Sequence, residues 1–114
     1  MLLAPAISSH RHTWTFLSNH AHVLIAVAQD PGVRVRDLAT AVGVTERAVL
    51  QILADLENAG AILRQRVGRR THYEIDTSAA LRHPLESHRT VGDLVALVEP
   101  IVKGAVNPSN PSPL

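Results

Sequence analysis

Helical periodicity is the first regular pattern along the chain. Ser18 or Asn19 can cap a helix that ends near Gln29, because short polar side chains accept hydrogen bonds from free helical N–H groups. Its predicted apolar stripe consists of Ala21, Leu24, Ile25 and Ala28. The Asp-Pro-Gly segment at 30–32 stops this helix, since proline cannot continue it and glycine readily forms the turn.

Two further helices are predicted close together. A short extended piece at 33–35 leads into a second helix at about 36–42, and a tight turn at Gly43 precedes a third helix at about 46–59, which Thr45 caps. With about 100° between successive residues, the apolar stripe of the third helix consists of Val49, Ile52, Leu53 and Leu56. Its opposite side carries Arg47, Gln51, Ala54 and Asn58.

The hydrophobic period then changes to two over residues 61–76, which predicts a β-hairpin. Gly68, Arg69 and Arg70 form its expected loop of about three residues. This pairing would place Arg64 opposite Glu74, where an ordinary cross-strand ion pair is the alternative to a functional role for Arg64.

A last helical pattern starts after Thr90, a second good capping residue. Its stripe consists of Val91, Leu94, Val95, Val98, Ile101 and Val102, and Pro100 interrupts it. The stripe is wide for a helix on the outside of a small domain, so we expect it to join two copies in a homodimer. The alternative is that the helix folds back onto the core of its own chain.

Charge changes this picture more than composition does. The 114 residues have a net charge of only +1, a 46% hydrophobic content typical of one folded domain, and no cysteine for a disulfide or a thiolate zinc site. Residues 31–72 nevertheless contain seven arginines against four acidic residues, and 61–72 contain four arginines and no acid. A locally basic segment in a nearly neutral chain indicates an anionic partner.

The spacing of the second and third helices is that of a helix-turn-helix. A small residue at Ala39 lets two helices cross closely, and Gly43, four residues on, makes the turn. Val49 and Ile52 then bury the second helix of the pair against the first. A helix held in this way presents its N-terminal half outward, where it can enter the major groove of DNA.

With these features the chain resembles the winged helix-turn-helix proteins, and most closely the multiple-antibiotic-resistance-regulator (MarR-like) transcriptional regulators. The resemblance runs from Val33 to Ile75 and includes the run TERAVLQILADLENAGAI, followed by an arginine-rich hairpin. The arsenic-repressor-like and isocitrate-lyase-regulator-like groups share this pattern. The resemblance implies a mainly α fold with a small β-hairpin wing (α+β), namely a winged helix-turn-helix with an extra C-terminal helix.

By the same resemblance, the third helix faces base edges and phosphates, and the hairpin tip follows the DNA backbone or enters the minor groove. Arginine can bond guanine through O6 and N7, glutamine can bond adenine through N6 and N7, and an apolar side chain such as Leu50 can touch a thymine methyl group. The candidate DNA-binding residues are Arg36, Thr45, Glu46, Arg47, Gln51, Arg64, Arg66, Arg69 and Arg70. The alternative for the helix is a solvated polar face.

The chain is accordingly predicted to divide into a flexible arm at 1–13, a winged helix-turn-helix DNA-binding domain at 14–76, a connector and dimerisation helix at 77–103 and a disordered tail at 104–114. We expect a homodimeric, sequence-specific regulator of transcription that binds double-stranded DNA. Both repression and activation are open at this point, and repression, by covering a promoter, is the commoner mode. The alternative is a winged-helix module for protein–protein interaction without specific DNA binding.

Other chemistry has weaker support in the sequence. His20 and His22 point about 160° apart on a helix and cannot easily bind the same ion, so we predict no metal site. The sequence contains no motif for catalysis or phosphate binding, so we also predict that the protein has no cofactor and is not an enzyme. Trp14 and Phe16 can line a pocket for an unknown small-molecule effector, but packing against the first helix or a partner subunit is favoured. The chain has no convincing targeting or membrane segment, which predicts a soluble, cytoplasmic protein.

Overall fold

The computed structural model describes residues 14–99. Its elements, in chain order, are helices α1 (Asn19–Gln29), α2 (Val35–Val42) and α3 (Glu46–Asn58), strands β1 (Ile62–Val67) and β2 (Arg70–Ile75), and helix α4 (Val91–Leu97). This is the predicted winged helix-turn-helix order. The expected arm at 1–13, the tail at 104–114 and two of the predicted dimer residues, Ile101 and Val102, lie outside the described residues.

The helices begin and end where short local signals predict. The Ser18 hydroxyl accepts a hydrogen bond from the N–H of Ala21 at 3.2 Å, and the Thr45 hydroxyl accepts one from the N–H of Ala48 at 3.0 Å. Between α2 and α3, Gly43 has a φ of +88°, a left-handed conformation that costs glycine little. The predicted helix-turn-helix is therefore confirmed.

The core lies where α1, α2 and α3 meet, and its largest fully buried side chains are Val23, Val27, Leu38 and Val49. The third helix buries the predicted stripe, Val49, Ile52, Leu53 and Leu56. Of the stripe predicted for α1, only Leu24 is buried, and the other buried residues of that helix are Val23 and Val27. Residues 23–28 are all apolar, so the sequence pattern there does not single out one face.

The short extended piece predicted at 33–35 does not form a strand. Val35 is already the first residue of α2, and among the described residues the sheet contains only β1 and β2. The loop before α2 still touches the hairpin, because the N–H of Tyr73 donates to the carbonyl oxygen of Pro31 at 3.0 Å. One backbone hydrogen bond fastens this loop to β2, but it does not make a ladder.

The hairpin exists, but its predicted register was wrong by one residue. Arg70 belongs to β2 and pairs with Val67, so the loop contains only Gly68 and Arg69. Gly68 has a φ of +65°, and positive φ in a two-residue loop matches the twist of the flanking strands. Arg64 consequently faces Tyr73 across the ladder, and the expected Arg64–Glu74 pair does not form.

Helix α4 starts at the predicted cap and packs on its own domain. The Thr90 hydroxyl accepts from the N–H of Asp93 at 3.1 Å, and the Asp93 carboxylate accepts from the N–H of Thr90 at 2.9 Å, which lowers the pKa of Asp93. Val91 is buried in the core, and Leu94 and Val95 pack against it. The beginning of the predicted dimerisation stripe is thus occupied within its own chain. None of the helices in the 14–99 region is long and apolar enough to cross a membrane.

Candidate nucleic-acid interface

The outward face of α3 is the centre of the candidate interface. Arg47, Gln51, Ala54 and Asn58 are all exposed there, on the side opposite the buried stripe. Leu50 adjoins them and leaves 55% of its surface exposed. A helix that buries one side against α1 and α2 therefore offers an unobstructed surface with one cation, one amide and one apolar side chain near its N-terminal half.

The N-terminus of α3 is built by Thr45 and Glu46, both exposed. The Thr45 hydroxyl caps the helix, so its oxygen is occupied by the backbone and it can meet a phosphate only through its remaining O–H. Glu46 lies in the first turn, where its negative charge stabilises the positive end of the helix dipole. Facing DNA, a carboxylate can accept only from an amino group such as cytosine N4.

Gln51 is less free than the sequence suggested. Its Nε2 donates to Oδ1 of Asp55 at 3.0 Å, and the second carboxylate oxygen of Asp55 lies 2.8 Å from Nε2 of His20 on α1. The hydrogen bond with His20 is the largest cause of the lowered pKa of Asp55, followed by the one with Gln51. Sequence reasoning missed Asp55 in this role, although the four-residue spacing from Gln51 to Asp55 was a usable signal.

The two stem arginines of the hairpin differ in their surroundings. Nη2 of Arg64 lies 3.2 Å from Oε1 of Glu57 on α3, so Arg64 does form an ion pair, but with Glu57 and not with Glu74. Glu74 instead accepts from the Gln65 amide at 3.3 Å. Arg66 is exposed opposite Thr71 and forms no ion pair within the described part of the chain.

At the wing tip, Arg69 and Arg70 are both exposed, but the side chain of Arg70 is fixed by a hydrogen bond. The guanidinium of Arg70 donates to the carbonyl oxygen of Gly32, in the loop before α2. Around this contact lies a groove of about 260 Å³, which Arg34, Arg69 and Arg70 all line. Three cations therefore border one groove between the wing and the start of α2.

Arg34 was missed by the sequence analysis. It is exposed at the N-cap position of α2, where its side chain makes no capping hydrogen bond. The sequence shows that Arg34 is a cation close to Arg36. It does not show that Arg34 lies beside the wing, because that position depends on how the loop before α2 contacts β2. Arg36, two residues on, is exposed in the first turn of α2 as expected.

The remaining candidate groups lie apart from this face. Trp14 and Phe16 are 75% and 91% exposed, and their rings meet edge to face at 4.8 Å between centroids, so neither side chain is buried against α1. Packing against a partner subunit, the other expectation for these two residues, stays a prediction. Trp14 does border an open groove of about 560 Å³ beside α1 and the end of α2. Nδ1 of His22 lies 3.1 Å from the Asn19 side-chain oxygen, and residues 14–99 contain no group of three or more side chains arranged to hold a metal.

The helix-turn-helix lies within a region that one known family model matches. Residues 19–62 match the family model described as winged helix-turn-helix DNA-binding, a stretch that runs from the start of α1 to the start of β1. A search of curated proteins found no match. Among solved structures, the chain is similar to the PcaV transcriptional regulator from Streptomyces coelicolor, whose structure was determined in complex with its natural ligand. That likeness has 20% identity and a TM-score of 0.47, and it covers 82% of this chain and 70% of the other.

Proposed function

We propose that this chain, whose residues 19–62 match a family model of winged helix-turn-helix DNA-binding proteins, is a homodimeric transcription regulator of the MarR-like kind that binds specific sequences in double-stranded DNA. The observation that carries the proposal is the outward face of α3, which exposes Arg47 and Gln51 opposite the buried stripe and Leu50 at its edge. In the proposed complex, the N-terminal half of α3 lies in the major groove. The cytoplasmic location expected from the sequence belongs to the same proposal.

Base recognition is assigned to three side chains of α3. The guanidinium of Arg47 can donate two hydrogen bonds to guanine, one to O6 and one to N7, which is the commonest specific contact in the major groove. Leu50, which is 55% exposed, is suited to the methyl group of thymine. Gln51 contacts a base edge, and Thr45 and Glu46 flank these contacts at the helix N-terminus.

Phosphate binding is assigned to the wing and to the start of α2. Arg66 and Arg69 are exposed, and Arg34 borders the same groove as Arg69. Arg36 supplies a further cation on the first turn of α2. We assign Arg64 and Arg70 to positioning instead, because one pairs with Glu57 and the other fastens the wing to Gly32.

The homodimer is proposed to form through the outer part of α4. Leu97 is 75% exposed and Val98 is partly exposed, whereas Val91 is buried in its own core. Two copies related by a two-fold axis would present two α3 helices to half-sites whose centres are about 10 base pairs apart. A small-molecule effector of unknown identity is part of the same proposal.

The wing assignment predicts a specific change in salt dependence. Arg69→Ala should make the slope of log affinity against log salt concentration less steep by about 0.9 for each wing, since each phosphate contact releases one condensed counterion. The loss of affinity should be nearly the same for all DNA sequences. Fluorescence anisotropy with a labelled duplex at several salt concentrations measures both quantities.

Arg64→Ala is the matched control for that experiment, because it removes the same charge from the same hairpin but from a side chain already paired with Glu57. We expect a clearly smaller change of slope for Arg64→Ala than for Arg69→Ala. Equal slopes for Arg69→Ala and the unmodified protein would remove the wing from the interface.

The same anisotropy titrations test the proposed function as a whole. A regulator should bind some genomic duplexes at least about a thousandfold more tightly than unrelated duplexes at physiological salt. Uniformly weak, salt-sensitive binding to every duplex would instead favour the protein-interaction module, in which the arginines meet an acidic protein.

A further inference from the structure

A chain of side-chain hydrogen bonds connects the outward face of α3 to α1. Gln51 donates through Nε2 to one oxygen of Asp55 at 3.0 Å, and the other oxygen lies 2.8 Å from Nε2 of His20. Gln51 and Asp55 are one helical turn apart, whereas His20 precedes Asp55 by 35 residues along the chain. Asp55 therefore connects a proposed base-reading side chain to a second helix.

This contact decides which end of the Gln51 side chain faces Asp55. An ionised carboxylate only accepts hydrogen bonds, so the amide must present its NH₂ group to Asp55 and turn its carbonyl oxygen away. Aspartate is ionised at neutral pH, and the hydrogen bonds with His20 and Gln51 lower the pKa of Asp55 further. A glutamine without such a neighbour can present either end, because its two ends are nearly identical in shape.

His20 has a separate part in this arrangement. By occupying Oδ2 it holds the carboxylate of Asp55 so that Oδ1 faces Gln51. The contact also joins α3 to α1, which packs against α3 elsewhere through the core. A residue of α1 thus affects how α3 presents its amide.

We infer that Asp55 is a positioning residue that makes Gln51 a hydrogen-bond acceptor in the major groove, so that Gln51 selects a base with an exocyclic amino group. The bases that offer such a donor in the major groove are adenine, through N6, and cytosine, through N4. Guanine and thymine offer O6 and O4 there, which would face the Gln51 oxygen without a shared hydrogen. This inference rests on the proposed function and adds the class of base that Gln51 reads.

The test compares Gln51→Ala, Asp55→Ala and the double variant on four duplexes that differ only at the base pair nearest Gln51. That position is the one at which Gln51→Ala loses its preference among the four bases. In the unmodified protein, adenine or cytosine should be favoured there over guanine and thymine by about three- to tenfold, the worth of one hydrogen bond. Asp55→Ala should reduce this preference to that of Gln51→Ala, and the double variant should show no further loss.

Glu57→Ala is the matched control, since it removes another carboxylate from α3 that has no contact with Gln51. Both Asp55→Ala and Glu57→Ala should bind all duplexes somewhat more tightly, because each removes one negative charge near phosphates. Only Asp55→Ala should lose the base preference. A merely structural role for Asp55 would not produce that combination.

NMR of the DNA-free protein provides a readout that does not depend on DNA binding. The side-chain amide signals of Gln51 should shift in Asp55→Ala and stay unchanged in Glu57→Ala, and the pKa of Asp55 should rise in His20→Ala. Asp55→Ala with an unaltered base preference, or with unaltered Gln51 amide signals, would overturn this inference alone. A wild-type protein that selects no DNA sequence would overturn the proposed function, and this inference with it.

Discussion

Replacing Leu38 with alanine is expected to lower the free energy of unfolding by about 3 kcal/mol, the largest stability effect that we expect from one substitution. Leu38 on α2 is fully buried and is among the largest side chains of the core. Removing most of it takes away apolar contacts and leaves a cavity that the surrounding helices fill only in part. For a domain of this size the total stability is only about 5–10 kcal/mol, so urea denaturation should show a much lower midpoint.

Leu50→Ala is the control for this prediction, since it removes the same group from a side chain that is 55% exposed on α3. Its free energy of unfolding should change by less than about 0.5 kcal/mol. The two leucines thus separate the core of the helix-turn-helix from its outward face. Similar losses of stability in Leu38→Ala and Leu50→Ala would contradict the packing described for α2 and α3.

Replacing Arg47 with alanine is expected to have the largest effect on DNA recognition. Arg47 lies in the first turn of α3, on the outward face opposite the buried stripe. Loss of a two-hydrogen-bond contact with guanine should cost about 1–3 kcal/mol on the preferred sequence and relax the preference at one base pair. Anisotropy titrations on the preferred duplex and on single-base variants of it measure both effects.

Arg89→Ala is the matched control, because it removes the same charge from an exposed residue of the connector before α4. It should change the affinity for all duplexes slightly and leave the base preference intact. If Arg47→Ala weakens binding to every sequence equally, Arg47 binds phosphate, and the assignment of its contact to a base is wrong.

Local signals explain how much of the fold could be predicted. Helix starts at Ser18, Thr45 and Thr90 were predictable because a capping side chain acts on N–H groups only two or three residues away. The turn at Gly43 was predictable for a similar reason, since positive φ favours glycine in any context. Each of these features depends on a few neighbouring residues.

Features that depend on distant contacts were not predictable in the same way. The buried face of α1 is set by packing, since residues 23–28 are apolar on every side. The hairpin register moved by one residue because Arg70, a plausible loop residue, joins β2 and contacts the carbonyl oxygen of Gly32. The extended piece predicted at 33–35 is not a strand, because α2 already begins at Val35.

In the candidate site, too, local features could be predicted from the sequence and features that depend on distant contacts could not. Exposure of Arg47 and Gln51 followed from helical angles alone, which place them opposite Val49 and Ile52. The partners of Gln51 and Arg64 did not, because His20 and Glu57 reach them from other elements. The wing groove beside Arg34 likewise requires the contact between β2 and the loop before α2.

The most direct test of the central claim is the selection of bound fragments from a pool of random duplex DNA, followed by sequencing. We predict an enriched inverted repeat with half-site centres about 10 base pairs apart, as expected for two symmetric α3 helices in successive major grooves. Enrichment of no sequence, with uniform affinity across the pool, would contradict the claim that this protein is a sequence-specific, dimeric DNA-binding regulator.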